Sequence, residues 1–150
     1  MKKKVAIGAD HRGFKLKENL KRDLARRQIP FVDFGCPSVS SADYPEIGLQ
    51  VALSVQTGRC FRGVLICGSG IGFSIAANKV KGIRAALCHN LRTARLSRQH
   101  NDANILVFDE AISEKTARKM LTVWLETKFE GGRHRRRINQ VKAIEKKYFK

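Results

Sequence analysis

No apolar run in these 150 residues approaches the roughly 20 that a membrane-crossing helix needs. A membrane protein is therefore not expected. The basic start Met1-Lys2-Lys3-Lys4 leads straight into a short strand pattern and not into a signal-peptide core, so an untargeted, cytoplasmic chain is expected. Cysteine is sparse and unpaired in pattern: Cys36, Cys60, Cys67 and Cys88 form no Cys-x-x-Cys motif and lie far from any paired histidine spacing. Neither a zinc site nor a disulfide frame is indicated, and the thiols fit a reducing compartment. Acidic residues are few, 13 against 30 Lys and Arg, for a formal charge of +17. Aromatics make up 7% of the chain and form no stripe of the kind that stacks bases.

That charge could serve nucleic acid, an acidic partner, capture of small anions, or plain solvation. Much of it falls on Lys15, Lys17, Lys21, Arg22, Arg26 and Arg27 along one helical pattern, interleaved with Glu18 and Asp23, and on the segment from Arg133 onward. A solvated face is the favoured reading and a nucleic-acid partner is not expected.

The central stretch runs from Gly63 to Lys79. Its apolar first part, rich in Val, Leu and Ile and ending at Cys67, reads as a buried parallel strand; Gly68, Gly70 and Gly72 then open a small-residue helix. Glycines there permit positive φ and close backbone approach to a ligand, and the first helical amides would face an anion. Such surroundings are expected to lower the Cys67 thiol toward a thiolate. The loop matches neither the Walker pattern, which needs Gly-Lys-Ser/Thr, nor the dinucleotide fingerprint Gly-x-Gly-x-x-Gly. A phosphate or an enolate oxygen remains open to it.

In chain order, Lys4 to Ala9 reads as a first strand, and Phe14 to Arg27 as a helix with Phe14, Leu16, Leu20 and Leu24 on its apolar stripe. Phe31 to Phe34 makes a short second strand. A turn-rich loop runs from Gly35 to Pro45, and a helix from about Glu46 to Thr57 follows. Beyond the central strand and its helix, Arg84 to Cys88 and Asn104 to Phe108 are the fourth and fifth strands. A short helix from Asn90 to Arg98 separates them, and Ser113 caps a helix to about Phe129. Alternating strands and helices predict an α/β fold: a three-layer α/β/α sandwich around a five-stranded parallel sheet with right-handed crossovers. The whole chain, 1–150, is expected to form one domain.

In such sheets ligands bind beyond the carboxyl ends of the strands. Asp10, His11, Cys67 and the glycine loop should share that rim. His100-Asn101-Asp102 precedes the fifth strand and belongs to the opposite end, from which it reaches the first group only by a long loop or from a second subunit. After Gly131-Gly132 a last helix restarts, and Ile138, Val141 and Ile144 give it an apolar stripe with little core left to cover. Residues 130–150 are therefore expected to reach a partner chain.

Several motifs together carry a resemblance. Gly8-Ala9-Asp10-His11-x-Gly13-Phe14-x-Leu16-Lys17, Asp43-Tyr44-Pro45, Ile66-Cys67-Gly68-Ser69-Gly70-Ile71-Gly72 with Ala76-Ala77-Asn78-Lys79, Gly82-Ile83-Arg84-Ala85, Ser97 to Asn104 and Phe129-Glu130-Gly131-Gly132-Arg133-His134-x-x-Arg137 resemble the type B ribose-5-phosphate isomerases, in order and over nearly the whole chain. Galactose-6-phosphate isomerase subunits share that family. The resemblance implies a Rossmann-like fold that forms homodimers and, in some members, tetramers. It also implies an aldose-ketose isomerisation of a phosphorylated sugar through a cis-enediolate, with no metal and no cofactor.

By position, Cys67 resembles the base, Ser69 a substrate-binding hydroxyl where many members have Thr, and Gly68, Gly70, Ile71 and Gly72 the amides that bind the enediolate oxygen. His100 resembles the group that opens the furanose ring, a task suited to an imidazole. Asn101 and Asp10 would contact the substrate, and His11, Arg133 and Arg137 its phosphate, which a guanidinium fork can bond at two oxygens. Asp43 and Tyr44 would stand behind the pocket. Cys36, Cys60 and Cys88 read as packing, Asn78 and Lys79 as structural, and Arg135 and Arg136 as solvated.

One departure stands out. Where many members carry a Gly-x-Arg turn after the fifth strand, this chain reads Asp109-Glu110-Ala111. Losing a charged phosphate donor weakens binding by roughly 1.5–3 kcal/mol if nothing compensates. The substrate expected is ribose 5-phosphate with ribulose 5-phosphate as product; a hexose 6-phosphate such as allose or galactose, and a non-catalytic binder of sugar phosphate or RNA, are the alternatives.

Overall fold

Alternate residues of each strand go to opposite cores, and that alternation builds the molecule. The computed structural model describes residues 2–36 and 42–150; of the turn-rich stretch, 37–41 lies outside the described residues. The strands are β1 (Val5–Ala9), β2 (Phe31–Asp33), β3 (Arg62–Cys67), β4 (Ala85–Leu87) and β5 (Ile105–Asp109). All pair in parallel, in the order β2-β1-β3-β5-β4. Val5, Ile7, Val64, Ile66, Leu106 and Phe108 face one side, where α1 (Phe14–Arg26), α4 (Leu91–Gln99) and α5 (Glu114–Glu126) cover them with Leu20, Leu24, Ala94, Met120 and Trp124. Ala6, Leu65, Cys67, Ile105 and Val107 face the other, under α2 (Tyr44–Gln56) and α3 (Ile71–Ala77) with Val51, Ala52 and Phe73. Each fully buried large side chain contributes about 1.5–3 kcal/mol. This is the three-layer α/β/α sandwich that the alternating pattern predicts.

Two features of the chain position the site. Gly13 precedes α1 where a Cβ would stand 2.2 Å from the Ile66 carbonyl oxygen, so glycine lets the helix start against β3. The strand order reverses between β1 and β3, since β1 leads to β2 on one side while β3 lies on the other. A crevice opens at such a reversal beyond the carboxyl ends.

Element ends differ modestly from the sequence reading. α2 begins at Tyr44 and not near Glu46, because Pro45 occupies its first turn, where a missing amide hydrogen costs nothing. α5 ends at Glu126, short of Phe129, with Thr127 extended. Gly131 and Gly132 both take positive φ, at 70° and 53°, and α6 (Arg133–Tyr148) restarts after them. Of the α6 stripe Ile138 is buried, whereas Val141 and Ile144 are exposed.

Lys17 corrects the reading of the basic helix as a uniformly solvated face. It is fully buried, and its Nζ donates to Asp33 Oδ1 and Oδ2 at 3.0 and 2.9 Å and to the Cys36 carbonyl at 2.6 Å. The ammonium braces the chain after β2 against α1. No helix among the described residues is long and apolar enough to cross a membrane.

Candidate active site

A cleft of about 300 Å³ at the reversal is lined by Asp10, Arg12, Tyr44, Cys67, Gly68, Ser69 and Gly72. β1 delivers Asp10 and β3 delivers Cys67, as the parallel pairing of Ala9 with Ile66 requires. Asp10 is buried and its Oδ1 accepts from the Gly13 amide at 2.9 Å, which fixes the carboxylate in the turn. His11 is not among the residues lining the cleft, and its Nδ1 is buried with no hydrogen-bond partner among the described residues.

Cys67 is 5% exposed, and its Sγ accepts from the Gly70 amide at 2.9 Å. The expected lowering of this thiol does not hold. Burial pushes it above the ordinary cysteine value, Asp10's charge adds to that, and the amides of Phe73, Gly70 and Ser69 offset only part. The loop amides do point at the sulfur, as anticipated, but desolvation in the α2/α3 core is the larger effect.

The three glycines do three different things. Gly70 alone takes positive φ, at 79°, and a Cβ there would stand 2.4 Å from Leu87 Cδ1. Gly68 makes room for Arg12, and Gly72 for the Tyr44 ring, whose carbons would lie 2.8 Å from an added Cβ. Tyr44 also meets Phe73 edge-on, with centroids 5.9 Å apart. It thus forms a wall of the cleft, nearer than the sequence reading placed it, while Asp43 caps α2 by position, with no side-chain hydrogen bond to its amides. Ser69 is exposed and its hydroxyl accepts from the Ile71 amide at 3.2 Å; Ile71 itself points outward, 56% exposed.

His100 and its neighbours form a second group elsewhere. Cys67 pairs with Asp109 at the end of β5, whereas His100 caps α4 five residues before β5 begins at Ile105. The length of β5 therefore separates them, on the order of 13–16 Å at about 3.3 Å per residue. At this far end the His134 ring stacks on His100, Arg133 and Arg137 are exposed on α6, and the Asn101 carbonyl accepts from Arg84 Nε at 3.0 Å. Desolvation holds His134 below the ordinary imidazole value, and the charges of His100, Arg133 and Arg137 add to that against the pull of Glu130. Donor atoms of His100, Glu130 and His134 lie within 4.8 Å of one another. With the two rings 11° from parallel, their lone pairs run side by side and do not converge, so the trio suits stacking better than chelation. Asn78 is structural, as read: its side chain brackets the Ala85 amide and carbonyl at 2.8 and 3.0 Å.

Sequence reasoning passed over Arg12 and His134. Arg12 was the unspecified position inside Asp10-His11-x-Gly13, and only its fold neighbours reveal its place. His134 lies between Arg133 and Arg137, the two positions that the resemblance assigns to the phosphate.

The profile of the ribose/galactose isomerase family matches residues 5–141. Ribose-5-phosphate isomerase B of Escherichia coli is 44% identical over 146 residues, covering 97% of this chain and 98% of that protein. The structure of Clostridium thermocellum ribose-5-phosphate isomerase B superposes with a TM-score of 0.94 at 48% identity, over 97% of this chain and 99% of that one. The Mycoplasma genitalium ribose-5-phosphate isomerase B structure, with bound ribulose-5-phosphate, gives 0.93 at 38% identity, over 97% and 98%.

Proposed function

The chain belongs to the ribose/galactose isomerase family, and from that premise we propose that it interconverts ribose 5-phosphate and ribulose 5-phosphate through a cis-enediolate, with Cys67 as the base. The observation that carries this reading is the seat of Cys67, buried at the strand reversal with a loop amide 2.9 Å from its sulfur and Asp10 on the same cleft. The ribulose-5-phosphate bound to the Mycoplasma genitalium relative supports a pentose over a hexose.

In the proposed step Cys67 takes the proton from C2 of the open-chain aldose and, after exchange with solvent, delivers one to C1, while the proton of the C2 hydroxyl passes to O1 and the charge that develops on oxygen is met by amides of the glycine loop and by the Ser69 hydroxyl. Because burial raises the thiol, only a minor fraction is ionised at neutral pH, and proton abstraction speeds up as pH rises. Asp10 accepts from substrate hydroxyls. His100 opens the furanose ring, with Asn101 beside it, and Arg133, Arg137 and His11 take the phosphate.

His100 and Cys67 occupy opposite ends of one sheet, so the reading requires that they meet across a homodimer. Residues 130–150, with α6, are the proposed dimerisation segment. Apolar surface supports this: Ile71 and Ile75 beside the glycine loop and Val141, Ile144 and Tyr148 on α6 are all more than 40% exposed. A second copy would cover them.

Proton NMR of the protein with ribose 5-phosphate in deuterated water tests the reaction, with Cys67→Ala as control. Ribulose 5-phosphate carrying solvent deuterium, lost in the control, is the expected result. Silence with ribose 5-phosphate and turnover of allose or galactose 6-phosphate would shift the substrate to the hexoses.

A further inference from the structure

Arg12 lies two positions beyond Asp10 and lines the same cleft. Its side chain rests on the glycine loop: a Cβ on Gly68 would stand 2.9 Å from Nη1 and 3.1 Å from Cδ and Cζ, so any larger residue there would push the arm aside. At its tip Nη2 pairs with Glu110 Oε1. Glu110 is itself anchored to the site, since its amide donates to the Cys67 carbonyl at 3.0 Å. Arg12 and Glu110 are 98 positions apart, and the fold brings them together at the cleft mouth.

This pair is suited to exchange. The Arg12 side chain is 59% exposed and that of Glu110 30%, and exposed ion pairs contribute only about 0–1 kcal/mol. A phosphate dianion offers the guanidinium fork two oxygens and more charge than one carboxylate. Of the described residues lining the cleft, Arg12 carries the sole cation.

We propose that Arg12 binds the phosphate of the sugar phosphate from the Cys67 side of the cleft, and that Glu110 is an internal anion which the phosphate must displace. The proposal rests on the isomerase reading for the identity of the ligand. It makes the turn Asp109-Glu110-Ala111 a competitor that sets affinity, with Arg12 as the group competed for.

The test is calorimetric binding of inorganic phosphate to the full chain and to Arg12→Ala, Arg12→Lys and Glu110→Gln, beside KM and kcat for ribose 5-phosphate. Arg12→Ala should weaken phosphate binding roughly ten- to a hundredfold, the loss of one charge-assisted contact. Arg12→Lys should fall between, and Glu110→Gln should tighten binding. KM should follow the same order with kcat much less affected. A purely structural ion pair would send Arg12→Ala and Glu110→Gln in the same direction, or move neither, and either result overturns the proposal. If the wild type turns over no sugar phosphate and the two variants still shift phosphate affinity oppositely, the isomerase reading falls while the phosphate site stands.

Discussion

The imidazole of His134 lies flat on that of His100, ring centroids 4.1 Å apart and planes 11° apart. Protonating both would set like charges face to face, and desolvation together with the charges of His100 and Arg133 holds His134 below the ordinary imidazole value. The unfolded imidazole takes its proton near 6.5 and the folded one only at lower pH. Between those values the unfolded chain binds more protons, so stability falls as pH drops below about 6.5. His134→Gln should flatten that acid limb. Urea midpoints between pH 5 and 7.5 check it, and an unchanged slope in the variant would refute the assignment.

Cys67 gives the opposite limb. Its thiol stays protonated in the folded chain beyond the value of about 9 at which the unfolded thiol ionises, so this contribution to stability is complete below that pH and is lost as pH rises through the folded value. For activity the sign is reversed: kcat/KM should climb with pH toward and past 9, as the thiolate fraction grows. Ultraviolet thiolate absorbance, wild type minus Cys67→Ser, should show the same high inflection. Cys67→Ala should lower deuterium exchange by roughly 10²–10⁴-fold. An inflection below 9 would mean that the loop amides outweigh burial after all.

The five strands and the glycine loop were legible because local signals agree there: apolar runs of strand length, each followed by turn residues. Cys67 was legible because it ends such a run. What was hidden depends on tertiary order. Nothing local says that β5 inserts between β3 and β4, or that Lys17, one position from Leu16, turns inward to meet Asp33. The raised Cys67 thiol is hidden for the same reason, since its amide neighbours are written in Gly68 to Gly72 while its burial under α2 and α3 is not. Arg12 and Glu110, far apart in sequence, show their relationship only once β1 and β5 flank β3.

Glycine substitutions separate close packing from backbone strain. At Gly13 an added Cβ would meet the Ile66 carbonyl oxygen at 2.2 Å, and β3, buried between two layers, cannot yield. Gly13→Ala should therefore cost about 1–3 kcal/mol or more, as overpacking does. It should also weaken catalysis, because the Gly13 amide holds Asp10. Gly82 has φ +83° but none of the described residues within 4 Å of a Cβ added there, so Gly82→Ala carries only the left-handed penalty of about 1 kcal/mol. Chemical denaturation of both variants decides the order; equal costs would mean that α1 can back away from β3.

Subunit complementation addresses the separation of Cys67 from His100 directly. If each active site takes Cys67 from one chain and His100 from the other, the Cys67→Ala and His100→Ala homodimers each lack a group at every site. A heterodimer of the two variants has one site with both substitutions and one with neither. Co-refolding the inactive variants should then restore turnover of ribose 5-phosphate, to about a quarter of the wild-type rate when half the dimers are mixed and one site in each works. Were both groups to act within one chain, every site in the mixture would carry a substitution and no activity would return. Recovery should also depend on α6, since Ile144→Glu places a charge on the exposed apolar stripe beyond Ile138 and should prevent the exchange while leaving the sheet intact.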